Sequence, residues 1–221
     1  MSLDHPRIVL LYQSLLGIYG DHGNAVVCQK RLQWRGLDAE LLTIEPGEPV
    51  PTDADLYLLG GGEDTAQITA VRQLKADGGL FTALDRGAVL FAVCAGYQIC
   101  GSSFTIGAHD EIIEGLGLLD VQTRRGPQRA VGEVLHHWTR PDGTESLVTG
   151  FENHGGWTTL GTDATALADV EIGWVHTKTF APGTQDVDML AQMVRAVPFI
   201  VTGVLLPPSV PRPSCRLPGC T

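Results

Sequence analysis

The sequence predicts an α/β fold: a mainly parallel sheet sandwiched by helices, with a small antiparallel extension. Three observations carry this. Apolar, β-branched segments alternate with amphipathic ones over roughly the first hundred residues. The apolar segments run without polar interruption, as strands covered on both faces do. Glycines and turn residues gather just after them, at the end of a parallel sheet where ligands bind.

Taken in order, RIVLLY (7–12) reads as the first buried strand. GIYGDHGN is a turn-rich segment, and AVVCQKRLQWRG mixes Val27, Leu32 and Trp34 with Lys30, Arg31 and Arg35, the pattern of an amphipathic helix. Gly36 stands where a C-cap glycine belongs. AELLTIE (39–45) is a second strand, and DLYLLGGG (55–62) a third that runs into glycines. TAQITAVRQLKADGG follows as a helix stopped by Gly78 and Gly79. AVLFAV (88–93) is a fourth strand, and it delivers Cys94. From about residue 116 the pattern changes to shorter strands, LGLLDVQT, AVGEVLHHW and SLVTGFEN, joined by polar turns such as RPDG. That is the antiparallel extension.

The 221 residues suit one α/β domain or one domain with an appendage, and 43% apolar residues are enough for a core. With 25 acidic against 15 basic side chains the net charge is −10, which repels phosphate backbones and argues against nucleic acid as a partner. No apolar run approaches the roughly 20 residues that cross a bilayer. MSLDHPRIVLLYQ lacks the basic start and cleavage site of a signal peptide, so a soluble, cytoplasmic protein is expected, with no membrane insertion. Five cysteines, an odd number, do not make a disulfide framework. Cys94 and Cys100 lack metal-binding spacing, and the adjacent His136 and His137 point to opposite faces of a strand, so no metal is expected.

In FAVCAGYQICG (91–101) a buried strand ends at Cys94, and small residues and a helix follow. A tight turn there lifts the thiol out of the sheet, as in the strand–elbow–helix of α/β hydrolases. The helix N-terminus is expected to lower the thiol pKa, and its free N–H groups to bind an oxyanion. The bland reading is a buried thiol, the commonest state of free cysteine; Cys28 and Cys100 are assigned to it. In LLGGGED (58–64) three glycines let backbone amides turn toward a ligand, the other half of an oxyanion hole, or simply form a turn. Neither GxxxxGK[ST] nor GxGxxG is present, so no nucleotide site and no cofactor are expected.

VCAGYQICG, preceded by LLGGGED and followed by GFENHGGWT, resembles the class I glutamine amidotransferases of the cobyric-acid-synthase-like branch. The likeness is greatest to the glutaminase subunit of lipid II isoglutaminyl synthases, the GatD type. LLGIYGDHGNAVVCQKR and EGLGLLDVQT add to it, and it spans residues 7 to 173. It implies a flavodoxin-like core and glutamine as substrate, attacked by the Cys94 thiolate, with backbone amides near Gly61 and Ala95 on the oxyanion. It also implies that Arg129 clamps the glutamine α-carboxylate, with Arg124 and Arg125 as nearby alternatives. Asp21 would orient the catalytic imidazole; its other reading is an N-cap. The ammonia would pass to a Mur-ligase-like, ATP-dependent synthetase subunit of the MurT type, which would amidate D-glutamate of the lipid II stem peptide. Amidation in cobyric-acid-type synthesis is the alternative, as is a silent partner-binding module.

A cysteine glutaminase needs a histidine to take and return protons. The resemblance places it in a TYLHGP-like stretch late in the chain, and VTGVLLPP stands there without one. Ranked by chain order after Cys94, His176 is the first replacement, ahead of His154 and His22. Residues 174–221 also change character. From His176 onward, four basic residues (Lys178, Arg195, Arg212, Arg216) outnumber two acidic ones (Asp186, Asp188), and seven of the thirteen prolines fall there. The expectation is a frameshifted or otherwise divergent coding end that costs the domain its base.

Overall fold

The computed structural model describes residues 5–17, 21–139, 143–166, 168–173, 179–180 and 203–206. Four strands, β1 (Arg7–Leu11), β2 (Glu40–Ile44), β3 (Leu56–Leu59) and β4 (Val89–Val93), form a parallel sheet in the order β4-β3-β1-β2. A strand at Gly203–Leu206 (β12) pairs antiparallel with β4 and closes that edge.

Because strand side chains alternate, each strand feeds two cores. Ile8, Leu10, Leu56, Leu58, Phe91 and Val93 pack on one face with Ala25, Cys28 and Leu32 of helix α2 (His22–Gln33). Val9, Leu11, Tyr57, Leu59, Leu90 and Ala92 pack on the other, against α3 (Asp64–Asp77), α4 (Gly79–Asp85) and α5 (Ala95–Cys100). Uninterrupted apolar strands thus follow from helices on both sides. A short helix, α1 (Gln13–Leu16), fills the turn after β1.

The helix expected at 25–36 begins three residues earlier, at His22, and Gly36 takes φ 81 beyond its end. Gly78 takes φ 75 and its N–H caps Leu74 O, as a C-cap should. Gly79 stops nothing. It opens α4, whose Leu80, Ala83 and Leu84 are buried.

The expected antiparallel extension is a second sheet, antiparallel except where its first strand runs parallel to the long third one. It contains β5 (Ser103–Ile106), β6 (Glu111–Glu114), β7 (Val121–Thr139), β8 (Glu145–Leu160) and β10 (Asp169–Ile172). The shorter strands expected between 116 and 153 merge into one long hairpin, β7–β8, with β10 against the outer part of β7. Two residue pairs remain, β9 (Thr165–Ala166) and β11 (Thr179–Phe180), which bond each other. As expected, His136 is buried while its neighbour His137 reaches outward to Glu171, Nε2 to Oε2 2.6 Å. Among the described residues no helix is long and apolar enough to cross a membrane.

The strand order sets the site. The chain leaves β1 for β2 on one side and then returns to β3 on the other, which opens a crevice at the carboxyl ends of β1 and β3. Asp21 follows β1, Gly60–Glu63 follow β3, and Cys94 follows β4.

Candidate active site

Cys94 sits between β4 and α5 with φ 55 and ψ −115, a conformation that L-residues rarely adopt. Such strain costs about 1–3 kcal/mol and persists only where surrounding packing enforces it. Here the packing is visible. The Gly96 N–H donates to Gly60 O at 3.0 Å, and a Cβ on Gly96 would lie 2.3 Å from Leu59 O. A Cβ on Gly60 would lie 2.0 Å from Leu16 O and 2.6 Å from Asp21 Cγ. Only glycines let the ends of β1, β3 and β4 close around this turn. The half-buried Cys94 is held there on a tight strand–turn–helix junction, the geometry of an elbow.

A cleft of about 670 Å³ opens at Cys94, and Asp21, Ala95, Gln98, Arg129 and His154 help to line it. Gln98, four residues past Cys94, reaches the same cleft because i and i+4 share a helix face. Gly61 is not on its wall; Gly62 and Glu63 are. The Gly61 N–H donates instead to Asp21 Oδ2 at 2.9 Å. The donor expected from Gly61 is therefore engaged, whereas the Ala95 N–H hydrogen-bonds Cys94 itself.

Asp21 occupies the N-cap position of α2, as one reading expected, but its backbone is helical (φ −61, ψ −22) and its carboxylate makes no capping hydrogen bond. It is 6% exposed, and Asn24 Nδ2 lies 3.4 Å from Oδ1. Burial pushes its pKa up, against the Gly61 hydrogen bond.

Burial also raises the Cys94 thiol, and Asp21 and Glu63 raise it further, while the Ala95 N–H and the Arg129 charge pull it down. The expected lowering by the helix is thus overruled by desolvation, because a six-residue helix offers little dipole. Cys28, pushed up to about 11 by burial, and Cys100, raised by complete burial, are core thiols as expected.

The three arginines separate by their partners. Arg124 is tied to Ser103, through the carbonyl at 3.3 Å and Oγ at 2.9 Å, and braces β5. Arg125 pairs with Asp110 at 2.5 Å and donates to Gly107 O. Arg129 donates to neutral acceptors, Nε to Asn153 Oδ1 at 2.7 Å and Nη2 to Asn153 O at 3.4 Å. A bulge presents it: β7 residues 126–129 face the single Gly155 of β8, since Arg125 pairs with Gly156 and Ala130 with His154. Pro127 within that stretch cannot donate to a ladder.

His176, the first-ranked base, lies outside the described residues, as does most of 174–221. Among the described residues, His154 is the histidine on the cleft wall; His22, between the lining residues Asp21 and Gly23, is exposed and does not line it. His154 Nδ1 donates to Gly156 O at 2.8 Å, and His154 Nε2 lies 3.4 Å from Glu152 Oε2. Sequence reading passed over Glu152, Asn153 and Gln98; only the i, i+4 spacing of Gln98 from Cys94 signalled a role. Among the described residues no three His, Cys, Asp or Glu side chains converge as a metal site requires.

The profile of the CobB/CobQ-like glutamine amidotransferase domain matches residues 7–190. The chain is 32% identical over 145 residues to the GatD subunit of lipid II isoglutaminyl synthase (glutamine-hydrolyzing) from Staphylococcus aureus, covering 65% of this chain and 58% of that one. It is 37% identical over 131 residues to cobyric acid synthase from Sphingopyxis alaskensis, covering 56% of this chain and 25% of the relative. Against the cobyric acid synthase of Sinorhizobium medicae it is 35% identical over 140 residues, covering 61% and 28%. The chain thus spans little more than half the length of one relative and about a quarter of the others.

Proposed function

We propose, for a chain that belongs to the CobB/CobQ-like glutamine amidotransferase family, the glutaminase half-reaction of an amidotransferase. The observation that carries it is the strained Cys94 at the cleft, which Arg129 also lines. Glutamine would bind with its α-carboxylate on Arg129, a charge-assisted contact. The Cys94 thiolate attacks the side-chain amide carbon, and the amide oxygen becomes an oxyanion facing the Ala95 N–H. The C–N bond breaks as the nitrogen takes a proton and leaves as ammonia. Water then adds to the glutamyl thioester, glutamate departs and the thiol is regenerated. The base for these transfers is assigned to His176, from its place in the chain.

For the acceptor, synthesis of cobyric acid is the better supported reading, because cobyric acid synthases recur among the relatives. One observation favours a second reading. The GatD relative is matched over 58% of its length, against 25% and 28% for the two synthases, and its name makes it a subunit. Under that reading the ammonia passes to a Mur-ligase-like partner of the MurT type that acts on lipid II. Amide-¹⁵N glutamine with ATP and the full synthetase, offered an acid precursor of cobyric acid or lipid II, separates the two. Label in the corrinoid supports the first reading and label in lipid II the second. Label in neither, with glutamine intact, favours a silent binding module.

A further inference from the structure

We infer that Glu152 and His154 form a brace that positions Arg129, resting on the reading of Arg129 as the glutamine clamp. Both side chains are buried on the inner face of β8, on either side of Asn153 in sequence. A carbonyl oxygen only accepts, so the 2.8 Å contact to Gly156 O places a proton on His154 Nδ1. Nε2, buried and without a hydrogen-bond partner, lies 3.4 Å from Glu152 Oε2, within ion-pair distance. Held this way, the imidazole spans β8 from 152 to 156.

That span coincides with the gap in the ladder. Between the pairs Arg125–Gly156 and Ala130–His154, β7 bulges by residues 126–129 and leaves Gly155 without a partner in register. A strand that loses ladder support there would loosen, and with it Asn153. Yet Asn153 holds Arg129 twice, through its side-chain oxygen and its own carbonyl. The imidazole replaces the missing support, so the guanidinium meets substrate from a fixed backbone. His154 is a positioning residue acting through Asn153 and Arg129.

The test uses the full chain, uniformly ¹⁵N-labelled, and follows solvent exchange of the Arg129 Nε–H. His154→Ala should accelerate that exchange about tenfold by freeing Asn153, whereas Glu152→Gln, whose amide donates to a neutral Nε2, should keep it within about twofold. In parallel, the glutamine concentration that half-protects Cys94 from iodoacetamide should rise about tenfold in His154→Ala, and the His154→Ala, Arg129→Ala double variant should be no worse than Arg129→Ala. Unchanged Nε–H exchange in His154→Ala, failure of Glu152→Gln to preserve it, or additive losses in the double variant would overturn the brace. If the exchange responds as stated but glutamine does not protect wild-type Cys94, the brace stands and the glutamine reading falls.

Discussion

The Gly61 N–H donates to the Asp21 carboxylate at 2.9 Å, tying the glycine loop after β3 to the segment after β1 at the cleft that Cys94 lines. Burial keeps the Asp21 pKa above the ordinary carboxylate range despite that bond. A raised folded pKa means that the native state holds its proton more tightly than the unfolded chain. Any stabilisation is complete below the unfolded value and is lost as pH rises through the folded one. Asp21→Asn, which can still accept from Gly61, should therefore raise the melting temperature near neutral pH. The gain should shrink as pH falls through the carboxylate range, a trend that thermal melts across pH will read.

The same charge acts on Cys94. Alkylation of Cys94 by iodoacetamide should show a midpoint above that of an ordinary thiol, because burial opposes the thiolate. Asp21→Asn should move the midpoint down and Arg129→Ala should move it up. Movement of both in one direction would contradict the assigned electrostatics.

Arg129→Ala should raise the KM for glutamine by about tenfold to a hundredfold with a smaller effect on kcat, as loss of one charge-assisted anchor does. Arg129→Lys should recover only part, since a point charge does not reproduce the planar fork. Arg124→Ala should leave KM near wild type and lower stability instead, because its guanidinium holds β5.

Gly96→Ala places a methyl 2.3 Å from Leu59 O and pushes α5 off the sheet. The expected loss is about 1–3 kcal/mol from overpacking, together with lost Cys94 reactivity. Denaturant titration and alkylation rate measure the two effects separately.

The parallel core was legible because strands covered on both faces are written as unbroken apolar runs, and Cys94 because its strand ends in small residues. The hairpin was not, since RRGPQR interrupts the alternation of β7 with a bulge that only its partner strand reveals. Helix α4 was missed because Gly78 and Gly79 read as a stop, while only the first of them caps a helix. The engagement of Gly61 by Asp21 joins residues 40 apart through the sheet, and no local pattern encodes such a contact. The thiol pKa was misjudged for a related reason: burial is a property of the assembled core, whereas a helix start is visible in the sequence.

Cys94 as the glutaminase nucleophile is most directly tested by glutamine hydrolysis in the full chain, wild type against Cys94→Ala, with ammonia and glutamate both quantified. Equal release of the two products by wild type, and a loss of about a thousandfold or more in the variant, is the predicted result. Hydrolysis that continues at the wild-type rate in Cys94→Ala would contradict it.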